Sequence, residues 1–504
     1  MTRTVSRRGL LRAGAVAGGT LVFGTRLLGQ PAAAPRARVG AGPYGTPAVD
    51  TATGLRLPKG FTAREVARGG RHVGRTGYAW HRFTDGQACF AAHDGGWILV
   101  SNSETEPALG AGCSALRFDR RGRVVDAYRT LSGSARNCAG GATPWGTWLS
   151  CEEREGGGVW EVDPTREHAR PRAALGTFAH EAACVDPREE RLYLTEDQPD
   201  GHLYCFVPSA WPDLSAGTLF AAVVDGRTRR VTWKPVRAAH ARKDAAALGA
   251  TRFGGGEGIW WHDGHVTFTT KHDNRVWDYD CRASAIRVRY SAADLGASAP
   301  LRGVDNVCVT AGGDLYVCED GDDLDLCLIT PSGVVSRFLT ATGPQHAGSE
   351  LTGVTFDPSG RRMYLGSQRA HGLGAVYEIT GPFRRPAAPR RPPEFAAERD
   401  HGQHEASARD LLRVRVRGVA GTASLAGAGL GVRLSLREPC VVQTTLRTSR
   451  AVVAEHRFPT AVTGLTALRL RARRAAPGGH EIVVRARPTA GGGAAEVRLP
   501  LRLV

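Results

Sequence analysis

Short apolar runs separated by Gly or Asp turns dominate the chain from about residue 87 to residue 380. Trp97-Ile98-Leu99-Val100, Leu192-Tyr193-Leu194, Leu315-Tyr316-Val317 and Met363-Tyr364-Leu365 each follow such a turn and end in a polar or acidic cluster. A further run closes each unit, as in Leu203-Tyr204-Cys205-Phe206, Val276-Trp277-Asp278-Tyr279 and Leu326-Cys327-Leu328-Ile329. Runs this short, rich in β-branched and aromatic residues and bounded by turn formers, predict strands rather than helices. The unit recurs six times, at Cys89–Phe118, Cys138–Val162, His180–Phe206, Glu257–Tyr279, Asp305–Ile329 and Glu350–Ile379. Fourth strands fall in the intervals, at Val124–Tyr128 and Val334–Phe338 for example, and the interval 209–256 carries an insertion. The expected fold class is all-β: a six-bladed β-propeller, with a β-sandwich of similar strand count as the alternative.

From Leu411 the period changes. Leu412-Arg413-Val414-Arg415-Val416-Arg417, Leu468-Arg469-Leu470-Arg471 and Ile482-Val483-Val484-Arg485 alternate strictly, which predicts half-buried strands. A small immunoglobulin-like β-sandwich is expected over 409–504, following the propeller at 41–383. Between them, 384–408 is Pro/Arg-rich and reads as an extended linker. His401, His404 and Glu405 are read there as exposed linker residues rather than metal ligands.

Charge changes the picture at the two ends. The net charge is +17 over 504 residues. Residues 1–40 hold seven arginines and no acid, and residues 409–504 hold seventeen arginines against five acids. The middle is therefore near neutral, which argues against a nucleic-acid enzyme, whose basicity belongs on its working domain. The arginines of the last segment suit an anionic envelope polymer or lipid surface. Residues 1–40 read as a twin-arginine signal peptide: Ser6-Arg7-Arg8-Gly9-Leu10-Leu11-Arg12, a weakly apolar run Ala13–Phe23, then Ala32-Ala33-Ala34. An uncleaved anchor helix is the alternative, but the run is short for a bilayer span. The expectation is a monomer without a stable membrane span, handed to the twin-arginine export machinery and ending periplasmic, extracellular or wall-associated. Eleven cysteines with no CxxC argue against a structural zinc site. Cys89, Cys113, Cys184, Cys205, Cys308 and Cys318 lie in apolar runs as ordinary core residues.

Candidate chemistry gathers at two positions of each repeat. In a propeller, the starts of the first strands and the ends of the second strands meet at one mouth of the central channel. The first position offers Cys138, His180-Glu181, Glu257, Asp305-Asn306 and Glu350; the second offers Glu152-Glu153, Glu196-Asp197, Lys271, Glu319-Asp320 and Gln368. Any one of these acids alone reads as a solvated turn. Together, that many carboxylates cannot stay ionised in one mouth without cations. Oxygen-rich ligation suits Ca²⁺, and the single thiolate also admits iron.

The block Asn-Cys-Ala-Gly-Gly-Ala-Thr-Pro-Trp-Gly-Thr-Trp-Leu-Ser-Cys-Glu-Glu at 137–153 strongly resembles the PhoX family of exported alkaline phosphatases. So do His-Glu-Ala at 180–182, Thr-Glu-Asp at 195–197, Asp-Asn at 305–306, Cys-Glu-Asp-Gly at 318–321 and Glu-Leu-Thr-Gly at 350–353. The resemblance covers roughly residues 50–385. It implies a monomeric six-bladed propeller holding two Fe(3+) and three Ca(2+), and hydrolysis of phosphomonoesters with the metals stabilising equatorial charge on phosphorus. By the same resemblance Cys138 is the iron-bound thiolate. Glu153, Glu181, Glu257, Glu319 and Glu350 are the main carboxylate ligands, and Glu152, Glu196, Asp305 and Asp320 are further ones. One departure stands out. Larger members carry a phosphate-holding arginine two residues before the carboxylate that matches Glu257; here that position is Gly255. Lys271 or Arg252 is the candidate replacement.

The expected function is an exported metal-dependent phosphomonoesterase acting on a small-molecule ester. The alternatives are another metal-dependent propeller hydrolase, lactonase- or phosphotriesterase-like, and a non-catalytic calcium-binding envelope module.

Overall fold

A computed structural model describes residues 36–321 and 323–384. Beyond these it describes strands in the C-terminal segment, from His404–Ala408 to Ala495–Leu503. The segment read as a signal peptide lies outside the described residues up to position 35. Its last part, Arg38–Val39, pairs in parallel with Val334–Val335.

The predicted runs are strands, and they form six consecutive antiparallel sheets. Sheet one is Thr84–Ala91, Trp97–Ser103, Gly112–Phe118 and Val124–Leu131. Sheet two is Asn137–Ala142, Trp148–Glu152, Val159–Val162 and Ala169–Pro171. Sheet three begins with His180–Asp186, Arg191–Glu196 and Leu203–Ala210, and is widened by Asp213–Val224 and Val231–Val236 from the insertion, whose remainder forms the helix Ala241–Ala247. Sheet four is Gly256–His262, His265–Thr270, Arg275–Asp280 and Ala285–Ser291. Sheet five is Val304–Val309, Leu315–Glu319, Asp325–Ile329 and Val334–Ala341, extended by Leu55–Leu57 and Val49–Asp50. Sheet six is Leu351–Phe356, Arg362–Ser367 and Ala375–Thr380, and its fourth strand is Thr62–Arg68 from the beginning of the chain.

The first strand of each sheet packs on the first strand of the next, and Leu351–Phe356 packs back on Thr84–Ala91. These strands approach so closely that a Cβ on Gly86 would lie 2.5 Å from Ala139 Cα, and one on Gly258 would lie 2.7 Å from Asn306 Cα. Glycine is needed there for space.

Apolar residues that alternate along each strand meet the neighbouring sheet, so a separate hydrophobic cluster fills each gap. Leu149, Val159, Leu192 and Phe206 join sheets two and three; Tyr193, Val266, Phe268 and Tyr279 join three and four; Tyr316, Leu328, Met363 and Tyr377 join five and six. Cys113, Cys184, Cys205, Cys308 and Cys318 belong to these clusters, and the described cysteines are all free thiols. At about 25 cal/mol per Å² of apolar area, each gap contributes several kcal/mol, enough to hold neighbouring sheets in register.

In the C-terminal segment the strands form one antiparallel sheet around the long strand Leu430–Arg447. His404–Ala408, within the stretch read as linker, pairs with Leu412–Arg417.

Candidate metal centre

Five of the six first strands open with a register irregularity, and in sheet six it falls later, between Thr352 and Thr355. In sheet one it falls between Thr84 and Gln87, in three between His180 and Ala183, in four between Gly256 and Ile259, and in five between Val304 and Val307. Such a bulge re-aims one side chain out of the pleat. The residue just inside it is Asp85, Glu181, Glu257 or Asp305, and Cys138 takes the same place in sheet two, directly after the Asn137–Glu152 pair. The residue just past the end of each second strand supplies a rim: Glu104, Glu153, Asp197, Lys271, Asp320 and Gln368.

The bulged residues are fixed from the preceding sheet. Asn102 Nδ2 donates to the Cys138 carbonyl at 3.0 Å, Thr195 Oγ1 to the Glu257 carbonyl at 2.6 Å, and Thr269 Oγ1 to the Asp305 carbonyl at 2.7 Å. A buried donor on a rigid strand thus sets the backbone of each of these ligand candidates before any cation arrives.

Three groups of donor atoms converge to within 4.8 Å: Asp85, Glu104 and Cys138; Cys138, Glu153 and Glu181; Glu181, Glu257 and Asp305. They share Cys138 and Glu181, so they form one continuous arc. Two unit charges 4 Å apart repel by about 4 kcal/mol at an effective dielectric of 20, so the arc cannot be fully ionised without cations. Glu181 makes the case most sharply. It is completely buried, and neither of its carboxylate oxygens has a hydrogen-bond partner. Asp85 Oδ1 is buried and unpartnered as well. A hard or borderline cation satisfies such oxygens, so the donor set fits a metal centre of carboxylates around one thiolate.

Compared with known proteins, the chain matches the family model of alkaline phosphatase PhoX over residues 105–285 and 268–371, more than half of its length. The chain belongs to the PhoX alkaline phosphatase family. Curated proteins give no match. Among solved structures, the nidogen/laminin complex aligns at 11% identity over 54% of this chain and 84% of that one, with a TM-score of 0.34. A structural-genomics protein of unknown function from Bacteroides thetaiotaomicron aligns at 10% identity over 64% of this chain and 76% of that one, with a TM-score of 0.40. Likenesses this distant carry no argument about this PhoX family member.

The arc places five ligand residues expected from the PhoX resemblance together: Cys138, Glu153, Glu181, Glu257 and Asp305. Asp320 and Glu350 lie beside it, bound to cations. Lys271 Nζ stands 3.0 Å from Glu257 Oε1, as an ion pair off the line of a hydrogen bond, and 3.2 Å from Asp320 Oδ2. Arg369 Nη1 is 2.5 Å from Glu350 Oε1. Three expected ligands turn the other way. Glu152 accepts the amides of Ala135 at 2.9 Å and Gly158 at 3.1 Å. Glu196 accepts His202 N at 2.9 Å and Tyr204 OH at 3.1 Å, and is paired with Arg242. Glu319 accepts Arg302 N at 2.5 Å and Asp325 N at 3.0 Å. Each is the last strand residue before the rim, so the two-residue period of a strand sends it to the opposite side. There it fastens its own sheet's loops.

Arg252 bridges His202 through its backbone, and its charge is felt at Asp200. Lys271 is the cation at the arc. A side chain on Gly255 would crowd it: φ is +63°, and a Cβ would lie 3.2 Å from Lys271 Cβ and 3.0 Å from His272 Cδ2. Residues not anticipated are Asp85, Glu104 and Arg369, whereas Asp197, named from sequence beside Glu196, takes the rim position of sheet three. Gln368, named as a mouth residue from sequence, donates to Asp85 Oδ2 and Glu104 Oε2, both at 2.6 Å.

Electrostatics follow from this crowding. Burial first, then neighbouring carboxylates, push Glu181 and the Cys138 thiol well above their ordinary values. Burial and Glu104 raise Glu153 to about 9. Burial raises Asp305 to about 8 against the pull of Lys271. For Lys271, burial works against the charge, but Glu257, Asp305 and Asp320 outweigh it and hold the ammonium above the usual lysine value. Protons and metal ions therefore compete for the same oxygens.

Proposed function

We propose that this PhoX family chain is an exported metal-dependent phosphomonoesterase, built as a six-bladed propeller with its metal centre at one mouth and followed in the chain by a small β domain. The cyclic packing of first strands supports the propeller reading. The observation that carries the functional reading is Glu181, buried and unpartnered where two donor groups join.

Cys138, Glu153, Glu181, Glu257 and Asp305, with Asp85 and Glu104, would hold the metals. The thiolate suits iron, and the carboxylate-only group suits calcium. When bound, these ions supply Lewis acidity to an oxygen of the phosphate ester and neutralise the charge that grows on it. The chain's own part is to orient and exclude. Buried strands keep the carboxylates fixed, so no reorganisation is needed as charge develops. Lys271, about a third exposed, faces the mouth and binds a phosphate oxygen, taking the role of the arginine absent at Gly255. The arginine-rich C-terminal strands favour retention on an anionic envelope polymer.

The test is turnover of p-nitrophenyl phosphate, together with elemental analysis, on protein exported by its own signal. Phosphate release that is lost with chelation and with Cys138→Ala supports the reading. Bound calcium with no release from the monoester overturns it. Turnover of a lactone or a phosphotriester in place of the monoester assigns a different hydrolase.

A further inference from the structure

The acidic mouth is divided into two arcs of different chemistry. Along one, from Asp85 through Cys138 and Glu181 to Asp305, donor atoms converge in groups of three, and at Glu181 and Asp85 oxygens lack any partner. Along the other, Asp320 and Glu350 belong to no such group among the described residues, and each carboxylate already faces a protein cation. The division follows the rim. Sheets one, two, three and five place an acid just past their second strand, but sheet four places Lys271, and the residue after Gln368 in sheet six is Arg369.

Lys271 Nζ stands between the carboxylates of Glu257 and Asp320. A calcium ion bridging two carboxylates sits 2.3–2.6 Å from each oxygen, in roughly the volume that Lys271 Nζ fills at 3.0 and 3.2 Å. One ammonium cannot replace the charge of a divalent ion. It is covalently held, however, so it neutralises these carboxylates without the entropy cost of capturing a free ion.

We propose that Lys271 takes the place of a metal ion at the Glu257–Asp320 corner, with Arg369 serving Glu350 likewise, so that the centre binds three metal ions along the Asp85–Asp305 arc rather than the full set of two ferric and three calcium ions. This rests on the metal-centre reading above.

The experiment is metal content per chain by mass spectrometry, on wild type and on Lys271→Glu, both exported as full chains and checked for folding by circular dichroism. Wild type is expected to hold three ions, and Lys271→Glu one divalent ion more, because the variant restores an acid at the rim. A wild-type content above three overturns the inference and leaves the metal centre standing. So does a folded Lys271→Glu with wild-type content. If Lys271→Glu does not fold, the wild-type count decides, and Lys271→Gln titrated with calcium by calorimetry supplies the comparison: an added site supports the inference, and an unchanged number of sites overturns it. Absence of any bound metal in wild type removes the metal centre itself.

Discussion

Glu152 and Glu153 are neighbours in the chain, yet their carboxylates serve opposite sides of one sheet. Glu152 binds the amides of Ala135 and Gly158, while Glu153 joins Cys138 and Glu181 at the mouth. The same split separates Glu196 from Asp197 and Glu319 from Asp320. It yields a clean contrast. Glu319→Ala removes two hydrogen bonds from backbone amides to a buried carboxylate and is expected to cost about 2–4 kcal/mol of stability while leaving metal content unchanged. Denaturant unfolding and elemental analysis on one sample check both halves. Loss of metal with full stability would reverse the assignment.

Glu181→Gln should act oppositely in the presence and absence of metal. Stripped of metal, wild type keeps a crowded acid with no partner, so the neutral amide is expected to raise the melting temperature by a few degrees. With metal restored, wild type should be the more stable of the two. Paired melts with and without chelator decide it, and an unchanged order in both would show that Glu181 binds no cation.

Lys271→Ala is expected to lower kcat/KM for p-nitrophenyl phosphate about 10²-fold, the scale for removing one oriented donor to a phosphoryl oxygen. Gly255→Arg in the wild-type background should not raise activity. The left-handed backbone and the contact with Lys271 make it destabilising by about 1–2 kcal/mol. A more active, equally stable Gly255→Arg would mean that the lysine had not taken over that place.

Much of this was readable beforehand, and the omissions have physical causes. The repeat located the first strands and their acids, because apolar runs with Gly or Asp turns recur at matched positions. Glu104 stood at a matched position too, after Ser101-Asn102-Ser103. Asp85 precedes the apolar run at Cys89 from which the first repeat is legible, so the pattern of apolar positions does not bring it into line with Cys138. Strand alternation, applied to the acid pairs, would have separated Glu153 from Glu152. Arg369 left no sequence signal, since its role depends on where Glu350 comes to rest.

A pH effect is expected far from the mouth. His265 donates to or accepts from Asp278 at 2.9 Å, and this hydrogen bond raises the imidazole above its usual 6.5 despite partial burial. Asp278 is held low by His265 and Arg287, although burial alone would raise it. A raised histidine stabilises the fold below its unfolded value and loses that contribution as pH climbs through the folded one. His265→Gln should therefore be less stable than wild type near about pH 6 and equal to it near about pH 9. Melts at the two pH values measure the difference.

The fourth strand of sheet six is Thr62–Arg68, and it pairs with Ala375–Thr380, made some three hundred residues later. On the ribosome, then, the early ligand candidates wait for the late ones. Asp85 and Cys138 are synthesised long before Glu257, Asp305 and the strand that locks sheet six in place. A half-made chain can offer a cation only a loose fraction of the donors, so tight loading is an event of the finished chain. If the centre loads metal, the compartment in which that last pairing forms decides which ions are on offer when it closes.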